Sequence, residues 1–155
     1  MKKYFRKTKD GCDVEGFTLI ELLVVIGVLT ILLAIVLVAI NPSRQFKQAN
    51  NTQRRSDVNA ILNAVHQYAA DNSGSLPTGI TGTATNLGSG SGEIDICSEL
   101  VDTYIAEMPV DPTEGSWTSC SSYDTGYDIS TTGSSGRITI ASPNAELSAT
   151  IDVTR

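Results

Sequence analysis

The nineteen residues from Leu22 to Ile40 carry no charge, and this run constrains the chain more than anything else in its 155 residues. Wound as an α-helix rising about 1.5 Å per residue, it is about 28 Å long, close to the hydrocarbon thickness of a bilayer. It can span a membrane, and it is then withdrawn from the core of any soluble domain. A secretory signal has a shorter apolar region, about 7 to 15 residues, followed by a small-residue cut site. Neither feature is present, so the segment is expected to stay attached as an anchor. Lys2, Lys3, Arg6, Lys7 and Lys9 precede it, the flank of a segment whose N-terminus stays in the cytoplasm. Arg44, Lys47, Arg54 and Arg55 follow it, so charge alone orients it only weakly.

At the front of the run stands Glu21. A carboxylate within the bilayer costs about 2.5 to 3.5 kcal/mol on insertion scales and usually faces a partner. No cation lies close by after the basic leader. A cut after Gly16 creates one, because Phe17 then bears a positive α-amine one helical turn before Glu21. Within one subunit the two groups sit at i, i+4; between staggered parallel subunits the amine of one meets the carboxylate of the next. The rival reading is a glutamate snorkelling to the interface at the end of an ordinary signal anchor.

Beyond the anchor, Val58, Ile61, Leu62, Val65, Tyr68 and Ala69 recur at helical spacing, and Asn72, Ser73 and Gly74 supply a stop signal. Pro42 lacks the N–H that would bond Val38, so a kink or local melting is expected near residues 38 to 42. Residues 73 to 92 are dense in Gly, Ser and Thr and read as an irregular loop. Ile96, Leu100, Val101, Tyr104 and Ile105 fall on one face of a short helix that ends before Pro109 and should pack on a sheet. The period-two runs Tyr127 and Ile129, Ile138 and Ile140, and Leu147, Ile151 and Val153 predict about three antiparallel strands, with turns at Gly133, Gly136 and Pro143.

Of three cysteines, Cys12 lies in the basic leader and Cys97 and Cys120 lie far downstream. The last two can pair. In an oxidising compartment the bridge closes a loop of about 24 residues, worth about 3 to 4 kcal/mol in the chain-entropy model; two buried free thiols are the alternative. Nothing in the chain has catalytic spacing. His66 is the lone histidine, at an exposed or semi-exposed helical position, and there is no phosphate loop, G-x-S-x-G or zinc pattern. Asp111, Glu114, Asp124 and Asp128 match no calcium loop and read as solvated turn carboxylates. Trp117 reads as a cover for a disulfide and the edge of a thin core. No metal and no cofactor is expected. Beyond residue 70, twelve acids face only Arg137 and Arg155, a balance of minus ten, whereas residues 44 to 55 hold four bases and no acid. An acidic head disfavours nucleic acid as a direct partner.

The string Gly16-Phe17-Thr18-Leu19-Ile20-Glu21 after a short basic leader resembles the processing motif of type IV prepilins and pseudopilins. In that family a membrane-embedded aspartyl peptidase cuts after the glycine on the cytoplasmic side and methylates the new amine, and the glutamate serves subunit docking. The resemblance assigns those roles to Gly16, Phe17 and Glu21. Many members carry a glycine in mid-segment and a proline about two-thirds along it; here Gly27 comes earlier and Pro42 later.

The fold this implies is α+β: a long N-terminal transmembrane helix kinked near Pro42, and a small C-terminal antiparallel β-sheet head. Residues 1 to 16, with Cys12, form a leader that is removed. Residues 17 to 73 form the helix, membrane-spanning over 17 to 40, and residues 74 to 155 form the head, with its connecting loop at 74 to 92. The implied function is assembly into a type IV pilus-like filament as a subunit, not catalysis. The implied partners are other copies of the chain, the membrane, a prepilin peptidase, an assembly ATPase and a platform protein. The implied locations are the inner membrane before assembly and an extracellular or periplasm-spanning filament afterwards. A pseudopilin of a type II secretion or competence system shares the same N-terminal physics. A membrane-anchored binding or adhesive module that never polymerises is the rival of another class.

Overall fold

The structure is a computed structural model in which residues 16–132 and 136–155 are described. Cys12, the expected leader up to residue 15 and the expected turn at Gly133 lie outside the described residues. Two compact units divide at Asn41 and Pro42.

The first unit holds helix α1, Leu19–Ile40, in which no residue is buried by the rest of the chain. Apart from Glu21 and Thr30 its side chains are apolar on every face, the pattern of a helix that needs an apolar solvent. Thr30 Oγ1 donates to the carbonyl of Ile26 at 2.7 Å, which removes the one hydroxyl from competition with lipid. The helix ends at Asn41, in the left-handed region at φ 42°. Asparagine tolerates that conformation, and Pro42 then opens helix α2, Pro42–Asp71, at a position where its missing N–H costs nothing. The helical run is thus interrupted within the stretch that Pro42 marks in the sequence.

In the second unit α2 buries Asn51, Arg54, Val58, Ile61, Leu62, Ala64 and Val65, a stripe at three- and four-residue spacing. It stops where the sequence says it should: Gly74, at φ 86°, donates its N–H to the carbonyl of Ala69 at 2.7 Å. The stripe packs against an antiparallel sheet ordered β1 (Thr85–Gly88), β3 (Ser122–Thr132), β4 (Arg137–Ala141), β5 (Asp152–Thr154), with β2 (Ser116–Ser119) paired to the start of β3. Tyr127, Ile129, Ile138 and Ile140 face the helix, and Leu87, Ile96, Leu100 and Met108 close the core.

Several expectations need correction. The sheet has five strands rather than about three, because β1 and β2 are short, polar edge segments held by pairing with β3 and not marked by apolar alternation. Strand β1 lies inside the stretch read as loop, and its one buried apolar side chain is Leu87. The helix expected over residues 96–105 is only α3, Cys97–Leu100. Asp102 takes φ 70° and reverses the chain, so that Val101 bridges Ile105 while Ile96 and Leu100 still reach the core. Leu147 is not in a strand; at φ 58° and 45% exposed it sits in the connection before β5.

A further correction concerns charge. Arg54, one of the four bases between residues 44 and 55, has no exposed surface. Its Nε and Nη2 donate to the two carboxylate oxygens of Asp111 at 2.7 and 3.0 Å, Nη2 also reaches Thr113 Oγ1 at 2.8 Å, and Nη1 reaches Asn51 and Glu146. Asp111 is therefore no solvated turn carboxylate; it is 1% exposed. Gly126, at φ 69°, closes over it so tightly that a Cβ there would stand 2.9 Å from the Asp111 Cβ. Asn51 fixes the loop around Glu146 by donating to its carbonyl at 2.7 Å and accepting from its N–H at 2.9 Å.

Burial alone pushes the Asp111 carboxyl up, but hydrogen bonds from Arg54, Thr113 and the Glu114 N–H outweigh it and hold the group below its ordinary range. Glu146 is also held down, by Asn50 first; burial opposes this, and smaller contributions from Arg54 and Lys47 add to the lowering. Asp57 goes the other way, raised by burial despite the Tyr127 hydroxyl that donates to it at 2.9 Å.

Removing one partner of a buried ion pair strands the other, so Arg54→Met should cost about 3–5 kcal/mol. Urea unfolding of the full chain in detergent, followed through Trp117, the single tryptophan, measures it. A carboxylate whose folded pKa is depressed contributes stability that is present above its unfolded value, near 4, and lost as pH falls through the folded value. The gap between wild type and Arg54→Met should therefore narrow as pH drops below about 4. A gap that stays constant down to about pH 2 would show that Asp111 and Glu146 do not depend on the guanidinium.

Candidate functional site

The first described residues, Gly16 to Glu21, precede and open α1. Gly16 and Phe17 lie outside the helix, and Thr18 is its N-cap, with extended backbone at φ −77°, ψ 150°. A helix start leaves its first N–H groups without partners. Here Thr18 Oγ1 accepts from the Glu21 N–H at 3.3 Å, and Glu21 returns the bond, with Oε2 accepting from the Thr18 N–H at 2.8 Å and from its hydroxyl at 2.7 Å. This is a reciprocal capping box.

The sequence reading gave Glu21 a single prospective partner, the amine that a cut after Gly16 would release, and missed the one already three residues away. The signal was legible: a threonine followed three residues later by glutamate just ahead of an apolar run is the written form of a capping box. Both hydrogen bonds fall on Oε2, and Oε1 has no partner among the described residues. A negative charge in the first turn also suits the positive end of the helix.

The α1 segment is one helix long and apolar enough to cross a membrane, at 22 residues or about 33 Å. The other candidates fall away from any site. His66 is half buried on α2, and its Nε2 is buried without a hydrogen-bond partner. Asp124 accepts from Asn86 and from the Gly126 N–H, and Asp128 is only partly exposed in β3. No group of three or more His, Cys, Asp or Glu among the described residues is arranged to hold a metal ion. Cys97 and Cys120 are joined, with Cα atoms 5.3 Å apart, tying α3 to the β2–β3 turn. Trp117 meets Tyr123 edge to face at 5.8 Å on the margin of the core.

No curated protein and no solved structure matches the chain. Residues 13–37 match the family described as the prokaryotic N-terminal methylation motif. That match spans the glycine, the capped glutamate and most of α1, and it ends before the helix-and-sheet head. The chain therefore carries the type IV pilin and pseudopilin signature, which points to a membrane-anchored structural subunit.

Proposed function

We propose that the protein is a subunit of a type IV pilus-like filament, cut between Gly16 and Phe17, methylated on the Phe17 amine, and docked through Glu21 of one subunit and the Phe17 amine of the next. The observation that carries the reading is the carboxylate held at the head of an otherwise apolar, bilayer-length helix, with one oxygen committed to Thr18 and the other open. An amine placed at the positive end of a helix dipole needs a counter-charge nearby, and the open oxygen of a neighbour's Glu21 supplies it. A prepilin peptidase, an assembly ATPase and a platform protein complete the machinery, and the head is exported to the far side of the inner membrane.

The capping box favours a second reading as well. Glu21 that serves only Thr18 is a helix cap in an anchored monomer, and such a cap is worth about 1 kcal/mol. The two readings part on what polymerisation requires.

Protein recovered from the cell envelope should begin at Phe17 with a methylated amine, as read by intact mass and N-terminal analysis. A chain still beginning at Met1 is incompatible with the processing step. Glu21→Val should leave membrane insertion and leader removal intact while lowering subunit docking by two to three orders of magnitude, the equivalent of about 3–5 kcal/mol for a broken buried pair. Normal filament numbers from Glu21→Val would show that the carboxylate serves as a cap and not in docking, whereas an unsubstituted chain that forms no filament would leave the anchored monomer as the better account.

A further inference from the structure

One stripe of α2 is spaced alternately three and four residues apart and runs through Arg44, Lys47, Asn51, Arg54 and Val58. From Asn51 onward the head buries it, but Pro42 to Ala49 are all exposed, so the stripe continues bare through Lys47 and Arg44. Phe46 stands beside these bases at 71% exposure. Phe46 and Asn50 are four residues apart and share a face of the helix. Asn50 donates to Glu146 Oε2 at 3.0 Å, and Asn51 holds the Glu146 main chain through its N–H and its carbonyl. The connection fastened there next presents Leu147, which at φ 58° is 45% exposed. Among the described residues, Phe46 and Leu147 are the large apolar side chains left exposed outside Phe17 and α1. Two bases and two apolar side chains therefore gather at the end of the head where α2 begins.

Neither base is committed within the chain. Arg44 makes no hydrogen bond or ion pair among the described residues. Lys47 is near enough for its charge to lower the Glu146 carboxyl, yet that carboxylate is already engaged by Asn50 and Arg54.

Chain length decides what meets this patch first. Only Asn41 separates Pro42 from Ile40, the last residue of the bilayer-length helix, and Phe46 stands about 6 Å further along α2. At any angle between the two helices its Cα is within about 13 Å of the end of the span. Before a second copy arrives, the surface within that reach is the headgroup layer, which extends about 5–8 Å beyond the hydrocarbon. Bases beside aromatic and aliphatic side chains are the composition of segments that lie in that layer. A second copy's acidic head would answer the bases alone, whereas the acyl boundary also takes up the two apolar side chains. The charge beyond residue 70, minus ten, makes an anionic leaflet repel the rest of the head and attract this end.

We infer that this end of the head is a lipid-binding surface, on which Arg44 and Lys47 take the phosphates of anionic phospholipid while Phe46 and Leu147 enter the acyl boundary. The inference rests on the membrane anchorage of the chain, common to the subunit and monomer readings, and not on polymerisation.

The test uses the full-length chain carrying Phe46→Trp and Trp117→Phe, so that its one tryptophan reports on position 46. The protein is reconstituted into vesicles of phosphatidylcholine alone, or mixed equally with phosphatidylglycerol, with bromine on the upper part of the acyl chains as quencher. Strong quenching is expected in the mixed vesicles, weaker quenching in phosphatidylcholine, and loss of the difference at about 1 M salt, where charges are screened beyond about 3 Å. Adding Arg44→Gln and Lys47→Gln, both at exposed positions, should lower occupancy of the anionic surface about tenfold or more and bring quenching down to the phosphatidylcholine level. Absent quenching, equal quenching in both lipids, or indifference to salt and to the two substitutions overturns the inference and leaves the anchored reading standing. Emission that is unquenched at low protein density and shifts to the blue only as density rises assigns the patch to a second copy and also overturns it. Protein that carbonate strips from the vesicles removes the anchorage itself, and this contact with it.

Discussion

A guanidinium with no exposed surface organises the head of this protein. Arg54 is wholly buried and stands in the middle of α2, and its donors reach the Asp111 loop, Thr113 and the connection carrying Glu146. Burying a charge this way is expensive, and the cost is offset only because each polar group around it is matched by another. The geometry leaves little freedom: glycine at 126 is needed for Asp111 to sit where it does, and Asn51 pins the main chain at Glu146 from both sides. Apolar packing supplies most of the adhesion between α2 and the sheet, but the ionic cluster fixes which loops cap the helix and in what register. Part of the negative charge that the composition assigns to the head is thereby neutralised internally.

The N-terminal helix obeys the opposite rule. There the apolar side chains face outward, and the charged group is confined to the first turn, where Thr18 and Glu21 satisfy each other and the helix start. A carboxylate so bound has one oxygen satisfied before any other subunit arrives. Its second oxygen keeps a valence for association, so one residue serves helix initiation and polymer chemistry without conflict in the filament reading.

The elements governed by periodicity were legible. The bilayer-length run shows in its unbroken apolarity, the stop at Gly74 in its turn residues, and the stripe from Val58 to Val65 and the strands through Tyr127 and Ile138 in the spacing of their apolar residues. Edge strands β1 and β2 do not, since each is fixed by pairing with β3; β1 buries one apolar side chain, Leu87, and β2 buries none fully. The five apolar residues from Ile96 to Ile105 fit a helix equally well on paper, and only the left-handed turn at Asp102 decides otherwise. Arg54 was misread because a base among bases looks like a solvated patch, and its partners lie 57 and 92 residues away. Of the functional segment, the glycine and glutamate were evident from their setting, whereas the capping role of Thr18 was written in the sequence and overlooked.

The same separations bear on how the chain matures. Helix α2 precedes its partners in the chain, so its buried arginine has no carboxylate to bond until Asp111 emerges, and its clasp at Asn51 waits for Glu146, 95 residues further on. Contacts so distant in sequence form late. Until Asp111 has emerged, a charge with no counter-ion opposes collapse of the helix onto any partial sheet. The ionic cluster thus delays closure of the helix against the sheet until both of its distant carboxylates are in place.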